Sequence, residues 1–313
     1  MNRLQRNKIA QETRKVYLEQ HKKYVSDEVL FQRFLNMVSN PAYFHMKRGD
    51  FKGMRILDAG CGNSAYFEVG MIKKLGVSHV TCLDLGKEWI PLLRSALEKY
   101  DINNDTVSYV SGSTTNLPFE DESFDMVCSN GVLMHLSDMA EIKKAFAELT
   151  RVTKRGGWFY LVLGVSSGFM EEEFLPALRR FYRRKKDFKK LVDSITPRVF
   201  EELFDEIING MGKHTGENFI FSKHLINGLF DVDLCTFIQN IIQAPKRHTL
   251  KCDSVFALKM FKNHGFETPL RCRRYVKRKN VRKYFAPLHF DSSSRFSKLL
   301  YGEGNLEYIA KRK

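Results

Sequence analysis

Residues 54–65, MRILDAGCGNSA, decide the fold. A short apolar run ends in Asp58, the turn Gly60-Cys61-Gly62-Asn63-Ser64 follows, and a helical pattern starts at residue 65. Glycines let a backbone pass close to a ligand, and the free N–H groups at a helix start favour polar or anionic atoms. Outward from this point the same alternation repeats. Runs at 54–59, 79–84, 106–111, 124–129 and 157–163 predict strands, and 65–75, 87–100 and 138–153 predict helices. Short apolar runs separated by helical periods are the pattern of a parallel sheet covered by crossover helices, so the fold class is α/β.

The flanks have a different character. Residues 1–53 read as an N-terminal helical arm: a polar, basic stretch to about residue 23, then an amphipathic one stopped at Asn40-Pro41. After Val165 the alternation breaks down, and 166–250 is expected to form a helical cap inserted after the fifth strand. The pattern resumes with a helix at 253–264 closed by Gly265, and strands near 268–275 and 305–311 let residues 251–313 complete the core begun at 54–165.

With 43% apolar and 28% charged residues over 313 positions, the composition is globular and excludes a disordered tail protein. The six cysteines (61, 82, 128, 235, 252 and 272) contain no CxxC pair, so they read as reduced thiols, with neither a metal site nor a disulfide framework. The longest apolar stretch, 157–165, is half of the roughly 18 residues a membrane span needs. The polar start does not match a secretory signal, and the expected location is cytoplasmic. The net charge of +15 is concentrated in two runs, 179–190 with eight basic residues and one acid, and 271–283 with eight basic residues and no acid. They are either solvated faces or contacts to an anionic substrate, a membrane surface or RNA.

Taken as Gly60-x-Gly62-x-x-Ala65, the turn also matches a loose dinucleotide fingerprint, with Asp84 ending the next strand as a ribose partner. Asp58 argues against that reading. Two positions before the first glycine a dinucleotide fold normally has an apolar residue, and a carboxylate there repels pyrophosphate while suiting a ligand with an ammonium or sulfonium group.

With these residues in view, ILDAGCGNS resembles the first motif of class I S-adenosylmethionine-dependent methyltransferases. Asp84, the segment SGSTTNLPFEDESFDMV (111–127) and the stretch CSNGVLMHLSD (128–138) are similar to the small-molecule branch often called methyltransferase type 11. The resemblance covers 54–165 strongly and 253–313 more weakly. It implies a Rossmann-like, seven-stranded, mostly parallel sheet and S-adenosyl-L-methionine as cofactor. By position it assigns Asp58, Gly60, Cys61 and Gly62 to the methionine end, Asp84 to the ribose hydroxyls, Leu85 to the adenine face, and Ser113, Thr114 and Asn130 to the rest of the cofactor site. Ser113 stands where the family usually has an acid, so a hydroxyl would receive the adenine amino group. Ser64 stands where a third glycine is common and is expected to cap the following helix.

For the chemistry, His135 lies on the loop where this fold places the acceptor. In similar phosphobase methyltransferases a histidine there works with a tyrosine from the N-terminal segment, and Tyr24 and Tyr43 are the nearest matches in this chain. The expected reaction is O- or N-methylation of a small-molecule or lipid-like, possibly anionic, acceptor under a helical lid. RNA is the alternative acceptor, because Phe181, Tyr182, Phe188, Tyr275 and Tyr284 are interleaved with the basic runs. The boxes for base chemistry, Asn-Pro-Pro-aromatic and Pro-Cys, do not stand at their positions. A remote third reading is a serine hydrolase, from the elbow-like Gly164-Val-Ser166-Ser-Gly168.

Overall fold

A computed structural model of the chain describes residues 2–26, 28–166, 168–195, 249–272 and 302–313, with positions 199, 202, 206 and 299. Most of the expected cap, the second basic run beyond Cys272, and the side chains of Tyr24 and Ser166 lie outside the described residues. By internal contacts the chain forms two units: Met1–Ser166 with Arg247–Arg274 and Asn305–Lys313, and Ser167–Lys246 with Tyr275–Gly304.

The first unit contains a seven-stranded sheet built from β1 (Arg55–Ala59), β2 (His79–Asp84), β3 (Val107–Ser111), β4 (Phe124–Asn130), β5 (Thr153–Ser166), β6 (Leu270–Arg271) and β7 (Gly304–Lys311), in the order β3-β2-β1-β4-β5-β7-β6. β1 pairs in parallel with β2 and β4, β2 with β3, and β4 with β5, while β6 and β7 are antiparallel. β1 therefore lies between strands that follow it and strands reached by crossing over. This is a switch point, and open α/β sheets bind their ligands in the crevice outside the carboxyl ends of such strands.

The helices of this unit are α1 (Arg3–Ser26), α2 (Glu28–Val38), α3 (Tyr66–Val69, continued by a π-helical Gly70–Leu75), α4 (Trp89–Glu98) and α5 (Met139–Val152). They cover both faces of the sheet, because parallel strands bury both faces. Ile56, Cys82, Met126, Cys128 and Tyr160 face a core shared with Phe31, Leu35 and Val38 of α2 and Leu93 of α4. Leu57, Ala59, Leu83, Val127 and Phe159 face the opposite core, where Phe146 of α5 stands edge-on to Phe261. Phe261 belongs to the C-terminal helix, Ser254–Asn263, whose start is capped by the Asp253 carboxylate and whose end is turned by Gly265 at φ +76°. In the second unit, α6 (Leu175–Arg184) and α7 (Lys186–Ser194) carry the first basic run, and Phe181 meets Phe188 at 5.1 Å between ring centroids.

Three elements differ from the pattern in the sequence. β5 starts at Thr153, because Gly156 (φ +72°) and Gly157 absorb a register irregularity opposite Phe124–Met126. β6 is described for two residues only, so the expected 268–275 is shorter there. Ser64 does not cap α3: Ala65 occupies that position in the left-handed region at φ 63°, and the helix starts without a side-chain cap.

Candidate active site

The glycine turn is tied to the end of β2. The Leu83 carbonyl accepts from the Gly60 and Cys61 N–H groups at 2.6 and 3.2 Å. Asp84 Oδ2 accepts from the Gly62 N–H at 2.8 Å, and Asp84 Oδ1 from the Leu85 N–H at 2.6 Å. Burial pushes the Asp84 carboxyl above the usual carboxylate range, and the Gly62 and Leu85 N–H groups with the Arg14 charge pull it back. Each oxygen has spent one lone pair, and an ionised carboxylate offers about four acceptor sites, so two remain for a ligand diol.

Gly60 has φ +94°, and a Cβ there would collide with Cγ2 of Val132 from the loop after β4. Gly60→Ala is therefore expected to destabilise the fold by roughly 1–3 kcal/mol through backbone strain and the clash. In thermal melts, adding Val132→Ala should recover the clash and leave the strain. Full recovery by Val132→Ala would show that the left-handed turn costs nothing.

A cleft of about 150 Å³ opens at this rim, ten or more times the ~10–15 Å³ that one water needs, so it has room for a ligand. Gly60, Leu83, Asp84 and Leu85 form its floor, Gly112, Ser113 and Thr114 the side beyond β3, and Asn130, Gly131 and Val132 the side beyond β4. His135, Leu136, Ser137 and Glu141 continue the wall toward α5. Across the top runs α1, which contributes Arg6, Ile9, Ala10, Thr13, Arg14 and Tyr17. Steps of three and four residues place these six on one helix face.

Polar contacts hold α1 in place. Arg6 Nη2 donates to Asp138 Oδ2 at 3.0 Å, and Arg14 pairs with Glu88 over Gly86. Tyr17 Oη and His135 Nε2 share a hydrogen bond of 2.5 Å. On its other side the imidazole places Nδ1 3.4 Å from Thr249 Oγ1.

Of the residues singled out in the sequence, Gly60, Asp84, Leu85, Ser113, Thr114, Asn130 and His135 meet in this cleft. Gly62 reaches it through its bond to Asp84, while the Cys61 side chain is buried beneath the turn. Ser113 Oγ is already engaged with Thr115, and Asn130 Nδ2 donates to Tyr66 Oη at 3.0 Å. Asp58 is 4% exposed and does not line the cleft. Tyr43 is also placed elsewhere: its hydroxyl donates to Glu307 Oε2 at 2.6 Å and lies 2.8 Å from the Tyr160 hydroxyl in the core. Among the described side chains, the tyrosine that meets His135 is Tyr17. Its only sequence signal is the spacing of the α1 face, which is too mixed in polarity to stand out.

The sheet order, the glycine turn and the acid ending β2 define a class I, Rossmann-like methyltransferase fold. Residues 57–161 match a family model described as a methyltransferase domain, and this segment is a methyltransferase domain of the type 11 branch. Over 110 residues the chain is 38% identical to an uncharacterized methyltransferase of Schizosaccharomyces pombe, which covers 33% of this chain and 37% of that protein. Over 107 residues it is 33% identical to a demethylmenaquinone methyltransferase of Listeria welshimeri, covering 34% of this chain and 43% of the relative. A malonyl-[acyl-carrier protein] O-methyltransferase of Erwinia billingiae is 36% identical over 106 residues, 34% of this chain and 37% of that one. The chain thus spans less than half the length of these relatives. Among the described residues, no helix is long and apolar enough to cross a membrane, and no group of three or more His, Cys, Asp or Glu is placed to hold a metal ion.

Proposed function

We propose that this protein transfers a methyl group from S-adenosyl-L-methionine to a small-molecule or lipid-like acceptor, at oxygen or nitrogen, in the cleft under α1. One observation carries the reading: an acid-ended β2 and a bare glycine turn line the same cleft as the hydrogen-bonded Tyr17–His135 pair. The residues suit the cofactor. Asp84 keeps two acceptor sites for the ribose hydroxyls, Leu85 and Leu83 offer apolar surface for a base, and at Gly60 the close backbone leaves no room for a side chain. When bound, the cofactor supplies an electrophilic methyl group on a sulfonium centre.

The chain's own task is to hold the acceptor and take its proton. In the tautomer protonated at Nδ1, His135 Nε2 accepts the Tyr17 hydroxyl proton. Tyr17 Oη can then accept a proton from the acceptor O–H or N–H as its own moves to Nε2. General-base assistance of this kind contributes about 10²–10⁴ in rate. Ile9, Ala10 and Leu136 line the same region and help exclude water.

The charges of the cleft support a compact acceptor over RNA. Its two arginines are each paired, Arg6 with Asp138 and Arg14 with Glu88, and Asp84 and Glu141 add two carboxyl groups to the walls. A nucleic-acid backbone requires surplus positive charge along its path. The relatives named for demethylmenaquinone and for malonyl-[acyl-carrier protein] point the same way.

The direct test is calorimetry with S-adenosylmethionine, followed by incubation of a metabolite extract with methyl-labelled cofactor. Expected are one-to-one binding and label in a low-mass product. Absence of binding removes the cofactor assignment, and label appearing only in RNA replaces the acceptor class.

A further inference from the structure

The first basic run, which the chemistry above does not use, folds into the paired helices α6 and α7 of the second unit. Together these helices and the residue that joins them carry eight basic residues and two acids. Inward-facing side chains hold the pair together. Leu175 and Val192 are buried, and Phe188 is half-buried against Phe181. Tyr182 Oη donates to Asp193 Oδ1 at 2.6 Å, and Lys189 closes on the same carboxylate with its ammonium 4.9 Å from the Tyr182 ring centre.

The rest of the positive charge has no such task. Arg180, Arg184, Lys185, Lys186 and Lys190 are exposed, and their side chains make no hydrogen bond or ion pair with a described residue. Asp187 is the acid among them, since Asp193 is held by Lys189. Glu172 and Glu173 are exposed before α6, with Glu173 about 16 Å back along the helix from Arg184. Cations crowded at one junction repel one another, and an anionic surface relieves that repulsion. Two large apolar side chains stand among these cations: Phe181 is 50% exposed beside Arg180 and one turn from Arg184, and Leu191 is 60% exposed beside Lys190.

Charge alone suits RNA as well as lipid, and the apolar side chains separate the two. Of the three aromatic residues interleaved with this run, Tyr182 is tied to Asp193 and Phe188 is turned against Phe181, so neither is presented for stacking on a base. Leu191 has no aromatic face to offer a base, whereas entering the acyl boundary of a bilayer removes its surface from water. We propose that the α6–α7 pair is a peripheral docking surface for an anionic membrane, with Arg180, Arg184, Lys185, Lys186 and Lys190 on the lipid phosphates and Phe181 and Leu191 entering the headgroup boundary. The surface uses no residue of the cleft, so it stands independently of the cofactor reading.

The test is co-sedimentation of the full chain with vesicles of phosphatidylcholine alone and of phosphatidylcholine with about one-third phosphatidylglycerol. The parent should partition onto the anionic vesicles and leave the neutral ones. Lys185→Gln with Lys186→Gln and Lys190→Gln should lower the partition coefficient on the order of 100-fold, because each cation near an anionic leaflet contributes about a factor of five to ten. Leu191→Ser should lower it about tenfold. Equal partitioning onto both vesicles, or none onto either, overturns the proposal, as does unchanged partitioning of either variant. A short single-stranded RNA serves as the competing ligand. RNA binding that survives Leu191→Ser, in a chain that ignores the vesicles, replaces the membrane with nucleic acid.

Should circular dichroism show that the triple variant does not fold, the salt dependence of the parent decides. Partitioning onto the anionic vesicles should fall steeply as salt is raised, because exposed charges are screened. A flat response overturns the proposal.

Discussion

Replacing Asp84 by alanine should lower affinity for S-adenosylmethionine by at least about 100-fold, measured by calorimetry. The carboxylate holds two backbone N–H groups, Gly62 at 2.8 Å and Leu85 at 2.6 Å, and so clamps the glycine turn to the end of β2. Hydrogen bonds to a charged group contribute roughly 1.5–3 kcal/mol each. Alanine removes both, leaves the donors short of partners, and takes away the acceptors proposed for the ribose. The two together, roughly 3–6 kcal/mol, exceed the ~2.8 kcal/mol that corresponds to a factor of 100. Asp84→Asn should be intermediate, because its amide presents N–H to one of two backbone donors. The carboxyl titrates above the ordinary range, so on acidification it is protonated before an exposed aspartate would be. Cofactor affinity should accordingly weaken as pH falls, starting above the usual carboxylate range, and Asp84→Ala should abolish that dependence. Unchanged affinity in the alanine variant would refute the placement of the cofactor.

The parts of this fold that were legible in the sequence are the ones governed by local chemistry. β1, β2 and β4 are buried on both faces, so they read as continuous apolar runs, and their ends fall within a residue of expectation. The glycine turn and Asp84 were readable because a tight strand–helix connection needs particular residues at fixed offsets. The first four residues of β5 were not readable. Thr153-Lys154-Arg155-Gly156 has no apolar pattern and is strand because neighbouring backbone completes its ladder. Pairings across the chain were also out of reach. The Tyr17–His135 contact spans 118 positions, and Tyr24 and Tyr43 were equally good candidates by residue type.

The second large effect is expected at that long-range pair. His135→Ala should lower kcat by about 10²–10⁴, the usual contribution of a positioned general base, while leaving cofactor affinity within a few-fold. Tyr17→Phe should lose a comparable factor, because it removes the only oxygen in the pair. The double variant should be little worse than either single one, since residues acting as a unit are not additive. If the pair merely fastened α1 over the cleft, KM and cofactor affinity would change instead of kcat. That alternative can be separated, because α1 keeps two other attachments, Arg6 to Asp138 and Arg14 to Glu88. Tyr43→Phe provides the contrast. It leaves the Glu307 carboxylate without one donor and should cost roughly 1–3 kcal/mol of stability with kcat intact. Unaltered kcat in both His135→Ala and Tyr17→Phe would reduce the pair to scaffold and leave proton removal to the acceptor's own acidity.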